Sequence, residues 1–388
     1  MQVRADPFDA GPYSRVQAYL GLIKSNSLRV GRRAALAAII AWVPLVLLAA
    51  VQGLAMGSNP QQSMLLDVAV HARFLISLPL LLIAEAVCPR RLASIARHFG
   101  DAGLIADSSR SQYDALLETT RRLLASPRTD LTILVLAYAL TLAVQPLAYS
   151  FINSTWIRPD PQDPGALSMA GWWLALVSRP LYLVLMLGWV WRVVLWARFL
   201  QGVSQLELIL VPAHPDRVGG LAFAGTSIRA FLLLAFALAV PAAGALAQEI
   251  LHHGRSVYQF KYVIAGVVVA QFVLFAGPLF LLGPALLRAR TKGIFEYGTF
   301  ADAVGREFED RWLKPATRSI NDPLSAPDFS ATTDLYSIVA NVHEMRLVPL
   351  SIVQVGLLLT AGLLPFLPVL LATLPTKAIF AYVAKLLL

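Results

Sequence analysis

An all-α bundle of about seven transmembrane helices, with an amphipathic helical layer on its cytoplasmic side, is the architecture that the sequence predicts. The 388 residues are 57% apolar and only 14% charged, well below the charged fraction of about a quarter in soluble domains. Seven apolar stretches, 34–55, 74–88, 131–151, 181–200, 230–247, 262–287 and 347–374, interrupt the chain. They meet or approach the roughly 20 residues that a helix needs to cross about 30 Å of hydrocarbon. The connecting segments alternate in basic content, and 25 of the 32 Lys and Arg fall on one side.

The first stretch is longer than a secretory core of roughly 7–15 residues and lies behind an N-terminal arm, so it is expected to remain in the mature protein. The second reaches a full span if 64–73 joins it, which sets Asp67, His71 and Arg73 near its outer end. The fourth carries Trp172 and Trp173 before it and Trp189, Trp191 and Trp196 toward its basic end, as amphipathic indoles at an interface would be. Pro180 suits the first turn of that helix, where a missing N–H costs little. In the sixth, Gly277-Pro278 and Gly283-Pro284 mark a bend. The seventh contains Gly362, Pro365 and Pro368 and reads as one span or as a short hairpin.

The basic groups lie in the N-terminal arm (Arg4 to Arg33), 89–128, 192–229 and 288–346. Because Lys and Arg resist translocation, this places the N-terminus in the cytoplasm and makes the chain a polytopic inner-membrane protein. The chain 1–388 reads as one integral membrane domain in which 89–128 and 288–346 are cytoplasmic helical segments. Tyr113, Leu116, Leu117, Thr120, Leu123 and Leu124 share one helical face within 108–125. Tyr297, Phe300, Val304, Phe308 and Trp312 do so within 296–313, and Leu335, Ile338, Val339, Val342 and Met345 within 334–346. Between the last two helices, 315–330 is rich in Pro, Ser and Asp and reads as extended. The buried amides Gln145, Gln248, Gln271 and Gln354 are expected to cross-link helices.

The most distinctive local sequence is His214-Pro215-Asp216-Arg217-Val218-Gly219-Gly220-Leu221. Its prolines stiffen the loop and its glycines permit positive φ. It reads either as a rigid turn or as a polar constriction, where Arg217 and the N–H groups near Gly219 and Gly220 meet an anion. Here the chain resembles a group of uncharacterised bacterial polytopic inner-membrane proteins that carry an H-P-D-R-x-G-G-L segment between membrane helices. Glu296-Tyr297-Gly298 and Met345-Arg346-Leu347-Val348-Pro349 resemble the same group, and the likeness covers most of the chain. It implies a membrane location and brings no activity, so no residue role follows from it.

Charges within apolar stretches are costly and default to functional candidates. Asp67, His71 and Glu85 form such a set, bracketing a proton or cation path or lying at the interfaces. With His214, Asp216, Arg217, Gly219 and Gly220 they complete the candidate residues. No catalytic residue, metal site or cofactor is expected. The single cysteine, Cys88, excludes an intrachain disulfide, His252-His253 are adjacent rather than i,i+4, and no nucleotide, hydrolase or zinc-protease motif occurs. The implied partners are the bilayer, a second copy of the chain, and an ion or small solute. The spread of basic groups over alternate loops argues against nucleic acid. A channel or transporter is the leading reading. The alternatives are a scaffold or signalling protein that docks a partner on its cytoplasmic helices, and an intramembrane enzyme acting on lipid.

Overall fold

The computed structural model describes residues 8, 30–57, 62–151, 156–158, 166–313 and 327–373. Its helices are α1 (Val30–Val51), α2 (Val68–Asp101), α3 (Arg110–Leu124), α4 (Pro127–Phe151), α5 (Met169–Gln205), α6 (Ser227–His253), α7 (Lys261–Phe280), α8 (Gly283–Trp312), α9 (Pro327–His343) and α10 (Ile352–Ala372). The described residues contain no strand, only one antiparallel bridge between Ile105 and Leu208. The protein is an all-α polytopic transmembrane bundle. Helices α1, α2, α5, α6, α7 and α10 are each long and apolar enough to cross a membrane, and α3 with α4, bent by 46° at their junction, make a seventh if they form one span.

The helix α6 forms the centre. In its most apolar window 61% of residues are buried, against 22% for α1 and α10. It packs against α2, α7 and α10, while α5 packs against α1, α2, α3, α4 and α7. A Cβ on Gly244 would overlap Ala72 of α2, so this glycine allows the two backbones to approach. The basic ends of α2 and α5 are their C-termini, so these two helices run parallel, and α1 runs against both.

Several boundaries differ from the sequence reading. The second span starts at Val68, because Asp67 caps it by accepting the Val70 N–H at 3.1 Å, and Met64–Leu66 is a separate 3-10 turn. The same helix continues past Cys88 and Pro89 to Asp101. The fourth starts at Met169, where Ser168 accepts the Gly171 N–H at 2.8 Å, so Pro180 is internal. The sixth stops at Phe280, and after a turn at Leu281 and Leu282 a new helix starts with Pro284 in its first turn. Prolines 365 and 368 do not fold the last stretch back within the described residues: a 3-10 turn, Leu364–Phe366, carries the helix through them. Pro327–Ser330, read as extended, opens α9, as proline in a first turn favours. The rest of that segment, 315–326, lies outside the described residues, as do Lys377, Lys385 and the side chain of Gln145.

Of the amides, Gln271 Nε2 donates to Ala235 O at 2.9 Å and ties α7 to α6. Gln248 Oε1 accepts the Val68 N–H at 2.9 Å and ties α6 to the start of α2. Gln354 instead closes a capping box with Ser351 at the head of α10. On the basic side α3 turns Tyr113, Thr120 and Leu124 inward. Its outward Glu118 pairs with Arg121 and Arg122 at 2.8 Å; these two guanidiniums, Arg121 first, lower the carboxyl pKa to about 2. Phe308 and Trp312 of α8 pack on Phe329 of α9, with ring centroids 4.9 and 5.1 Å apart.

Candidate functional site

Proline shapes the bundle interior. A proline inside a helix has no N–H for the carbonyl four residues earlier, and in lipid such a group needs a substitute donor. Substitutes come from neighbouring helices. Pro44 leaves Ile40 O, which accepts Trp173 Nε1–H at 3.1 Å. Before Pro180, Leu176 O of the π segment Leu174–Ser178 accepts the Tyr138 hydroxyl at 3.1 Å. Pro241 leaves Ala237 O, which accepts the Ser77 hydroxyl at 2.6 Å. The sequence Ser-x-Pro-Leu-x-Leu occurs twice, at 77–82 in α2 and 178–183 in α5. Each copy is preceded by a π-helical segment that ends on its serine, Ala72–Ser77 and Leu174–Ser178. The second serine also bonds a neighbouring helix, donating to Ala41 O of α1 at 2.7 Å.

Below these π segments, α2 and α5 are joined by a polar seam. Ser77 Oγ lies 3.3 Å from Tyr182 Oη. One turn further in, Trp189 Nε1 donates to Leu81 O at 3.0 Å. Another turn in, Arg192 Nη1 and Nη2 both donate to Glu85 Oε1 at 3.2 Å. The other carboxylate oxygen, Oε2, pairs with Arg33 Nη2 of α1. Positions 77, 81 and 85 recur every four residues and thus share one helix face. The three charged side chains are each at least nine-tenths buried. The Arg192 guanidinium also lies over the Trp189 ring, 4.6 Å from its centroid, and its Nε has no hydrogen-bond partner among the described residues.

Two guanidiniums therefore share one carboxylate inside the bundle, an excess of one positive charge among the described residues. Sequence reasoning found Glu85 and missed both partners. By position Arg192 belongs to the basic segment that ends its span, and Arg33 to the N-terminal arm. The available signal was Glu85 itself, since a lone acid in an apolar stretch requires a cation.

His71 and Asp67 stand apart, about 21 Å and about 27 Å from Glu85 along α2 at about 1.5 Å per residue. Asp67, besides capping α2, accepts Trp156 Nε1–H at 2.9 Å. His71 Nδ1 accepts Trp42 Nε1–H at 2.9 Å, and its Nε2 lies 2.9 Å from Leu65 O. The indole can only donate, so Nδ1 is unprotonated and Nε2–H donates to the carbonyl. Both ring nitrogens are thereby committed.

The third group lies on the basic side. Asp216 Oδ1 accepts the N–H groups of Val218 and Gly220 at 2.9 and 3.1 Å, and Oδ2 accepts that of Ala222 at 3.1 Å. Its Oδ1 is also 2.8 Å from His214 Nδ1. Left-handed backbone at Arg217, Gly219 and Gly220 (φ 58°, 65° and 92°) turns these donors inward. The anion in this concavity is thus the loop's own carboxylate. Burial by itself would raise the Asp216 pKa, but the three backbone donors and the His214 ring together outweigh it and hold the value below the ordinary carboxylate range.

Arg346 clasps the loop from the segment before α10. Its N–H donates to Arg217 O at 2.7 Å, Nη2 to Asp216 O at 3.1 Å and Nη1 to Leu350 O at 3.1 Å, while Arg217 Nη1 meets Glu344 at 2.9 Å. Two sequence segments 130 residues apart, both singled out above, therefore form one unit. Beyond it a cleft of about 310 Å³ opens between the end of α2 and the turn before α6, lined by Ser94, Arg97, His98, Asp101, Phe223 and Thr226.

The described residues contain no group of three or more His, Cys, Asp or Glu arranged to hold a metal. No family model matches this chain, and no curated protein or solved structure matches it. The apolar helices are those of an integral membrane protein.

Proposed function

We propose that this protein is a channel or transporter for an ion or small solute, held in a bacterial inner membrane with its N-terminus in the cytoplasm. One observation carries the reading: charged groups from three helices, Arg33, Glu85 and Arg192, converge in the bundle interior at the inner end of a polar seam. Burying three charges is expensive, and an apolar cluster of similar volume would serve stability at least as well. Ionisable groups retained inside a membrane bundle mark substrate or ion pathways. The π segments above the triad supply the helix irregularity that often accompanies a functional site. The Asp216 loop, with His214, Arg217, Gly219 and Gly220, closes the cytoplasmic end, and Asp67 and His71 fasten the outer end of the same helix.

Flux from liposomes holding the purified protein tests this. Wild-type protein passes at least one solute of a broad ion and small-solute panel, and Glu85→Gln changes the rate or selectivity. No flux over the whole panel, with protein that remains folded and inserted, defeats the reading.

A second reading rests on a different surface. Phe295 and Phe300 of α8 are 70% and 58% exposed, as residues of a partner-docking face would be. A scaffold would capture a defined partner through them and lose it on Phe295→Ser and Phe300→Ser, with flux absent throughout.

A further inference from the structure

We infer that the Arg33–Glu85–Arg192 centre binds a compact monovalent anion from solution, with the Glu85 carboxylate acting as its tethered competitor. The inference rests on the proposed solute pathway and names its substrate class.

The argument starts from charge. Two guanidiniums face one carboxylate, so the centre carries one positive charge more than it neutralises among the described residues. A buried excess charge is costly, and a small mobile anion removes the cost. Donor geometry points the same way. Arg192 gives both terminal nitrogens to a single oxygen, Oε1, at 3.2 Å each, and its buried Nε has no acceptor among the described residues. Such spacing is longer than the roughly 2.7–2.9 Å of a strong guanidinium–carboxylate bond. Donors thus exceed acceptors at this centre.

Space follows from the same arrangement. The carboxylate lies between the two arginines, where a halide or compact oxyanion would lie. On binding, the anion takes that position from the Glu85 carboxylate, which among the described residues is held there only by the two arginines. Access is from the basic side: Arg33 is in the first turn of α1, and Glu85 lies about 7.5 Å of helix from Arg90 at about 1.5 Å per residue. The basic groups gathered there raise the local anion concentration. A cation would meet the opposite field, and a neutral solute would leave the excess charge in place.

The test uses the full chain in phosphatidylcholine nanodiscs at constant ionic strength. Sodium gluconate is replaced stepwise by chloride, nitrate or thiocyanate, and the thermal unfolding midpoint and tryptophan emission are followed. The expected result is a saturable rise in midpoint for at least one compact anion and none for gluconate. Glu85→Gln removes the competitor, so it lowers the midpoint in gluconate and tightens anion binding by at least about tenfold. Arg192→Gln abolishes the anion-specific response, and Arg192→Lys, which keeps the charge, retains part of it.

The wild-type titration needs no variant to fold, and an equal response to gluconate and to every compact anion overturns the inference. A response only when anionic lipid is added also overturns it, because the ligand is then a headgroup. Saturable binding without flux supports the inference and defeats the transport reading. Flux of a cation or neutral solute with no anion-specific response does the reverse.

Discussion

The buried triad and the Asp216 loop each centre on one carboxylate, yet they satisfy it in opposite ways. Glu85 takes its partners from two side chains on two other helices. Asp216 takes three of its partners from backbone within six residues of itself. The loop is a local device whose geometry is encoded by Arg217, Gly219 and Gly220 in left-handed backbone. The triad exists only when α1, α2 and α5 are assembled. A loop that fills its own anion site gains rigidity, whereas a centre with surplus cations keeps a capacity to bind.

That contrast can be broken by substitution. The largest effect is expected from Glu85→Ala, which leaves two buried guanidiniums uncompensated and should cost about 3–5 kcal/mol. A drop in unfolding midpoint of a few degrees or less, measured in gluconate, would show that water or lipid already neutralises the centre. Asp216→Ala frees three backbone N–H groups at the surface side and should cost about 1–3 kcal/mol. Its signature is local: hydrogen exchange accelerates at Val218, Gly220 and Ala222 and not in α2 or α5. Combined with Glu85→Ala, the effects should add within about 0.5 kcal/mol, and strong coupling would join the two regions.

Ser77→Ala removes the donor for the carbonyl that Pro241 leaves open, at a cost of about 0.6–1.7 kcal/mol. Pro241→Ala restores the backbone donor, so the serine substitution should cost less in that background, and a double-mutant cycle checks it. The smallest effect concerns acid. Because the Asp216 pKa is lowered in the folded protein, its contribution is fully present above the unfolded value of about 3.9. It is lost as pH falls through the lower folded value. Protection of the Val218, Gly220 and Ala222 amides, corrected for intrinsic exchange, should therefore stay flat from neutral pH to about pH 4.5 and weaken only below about pH 3.9.

The spans were legible in the sequence because lipid selects length and apolarity, both properties of a continuous stretch. Their ends were less so. Val68 and Met169 start helices because Asp67 and Ser168 cap them, and a capping residue within a polar turn resembles any other loop residue. Pro180 carries the mark of a helix start, and the π segment before it, which lets the helix pass through, is marked only by the Ser-x-Pro-Leu-x-Leu that also accompanies the π segment of α2. Among the candidates, Glu85 was visible as an isolated acid. Arg33 and Arg192 were hidden by their position beside basic loops, where arginine is commonplace.

The sequence alone therefore determined what depends on local composition: an all-α chain, its apolar spans, its basic alternate segments and the turn-forming chemistry of 214–221. Tertiary structure alone decided which proline-freed carbonyl meets which side chain, and that Arg33, Glu85 and Arg192 meet at all. The physical reason is range. Hydrophobicity and backbone preference act within a helix, whereas a buried charge is stabilised only by partners that packing brings from elsewhere in the chain.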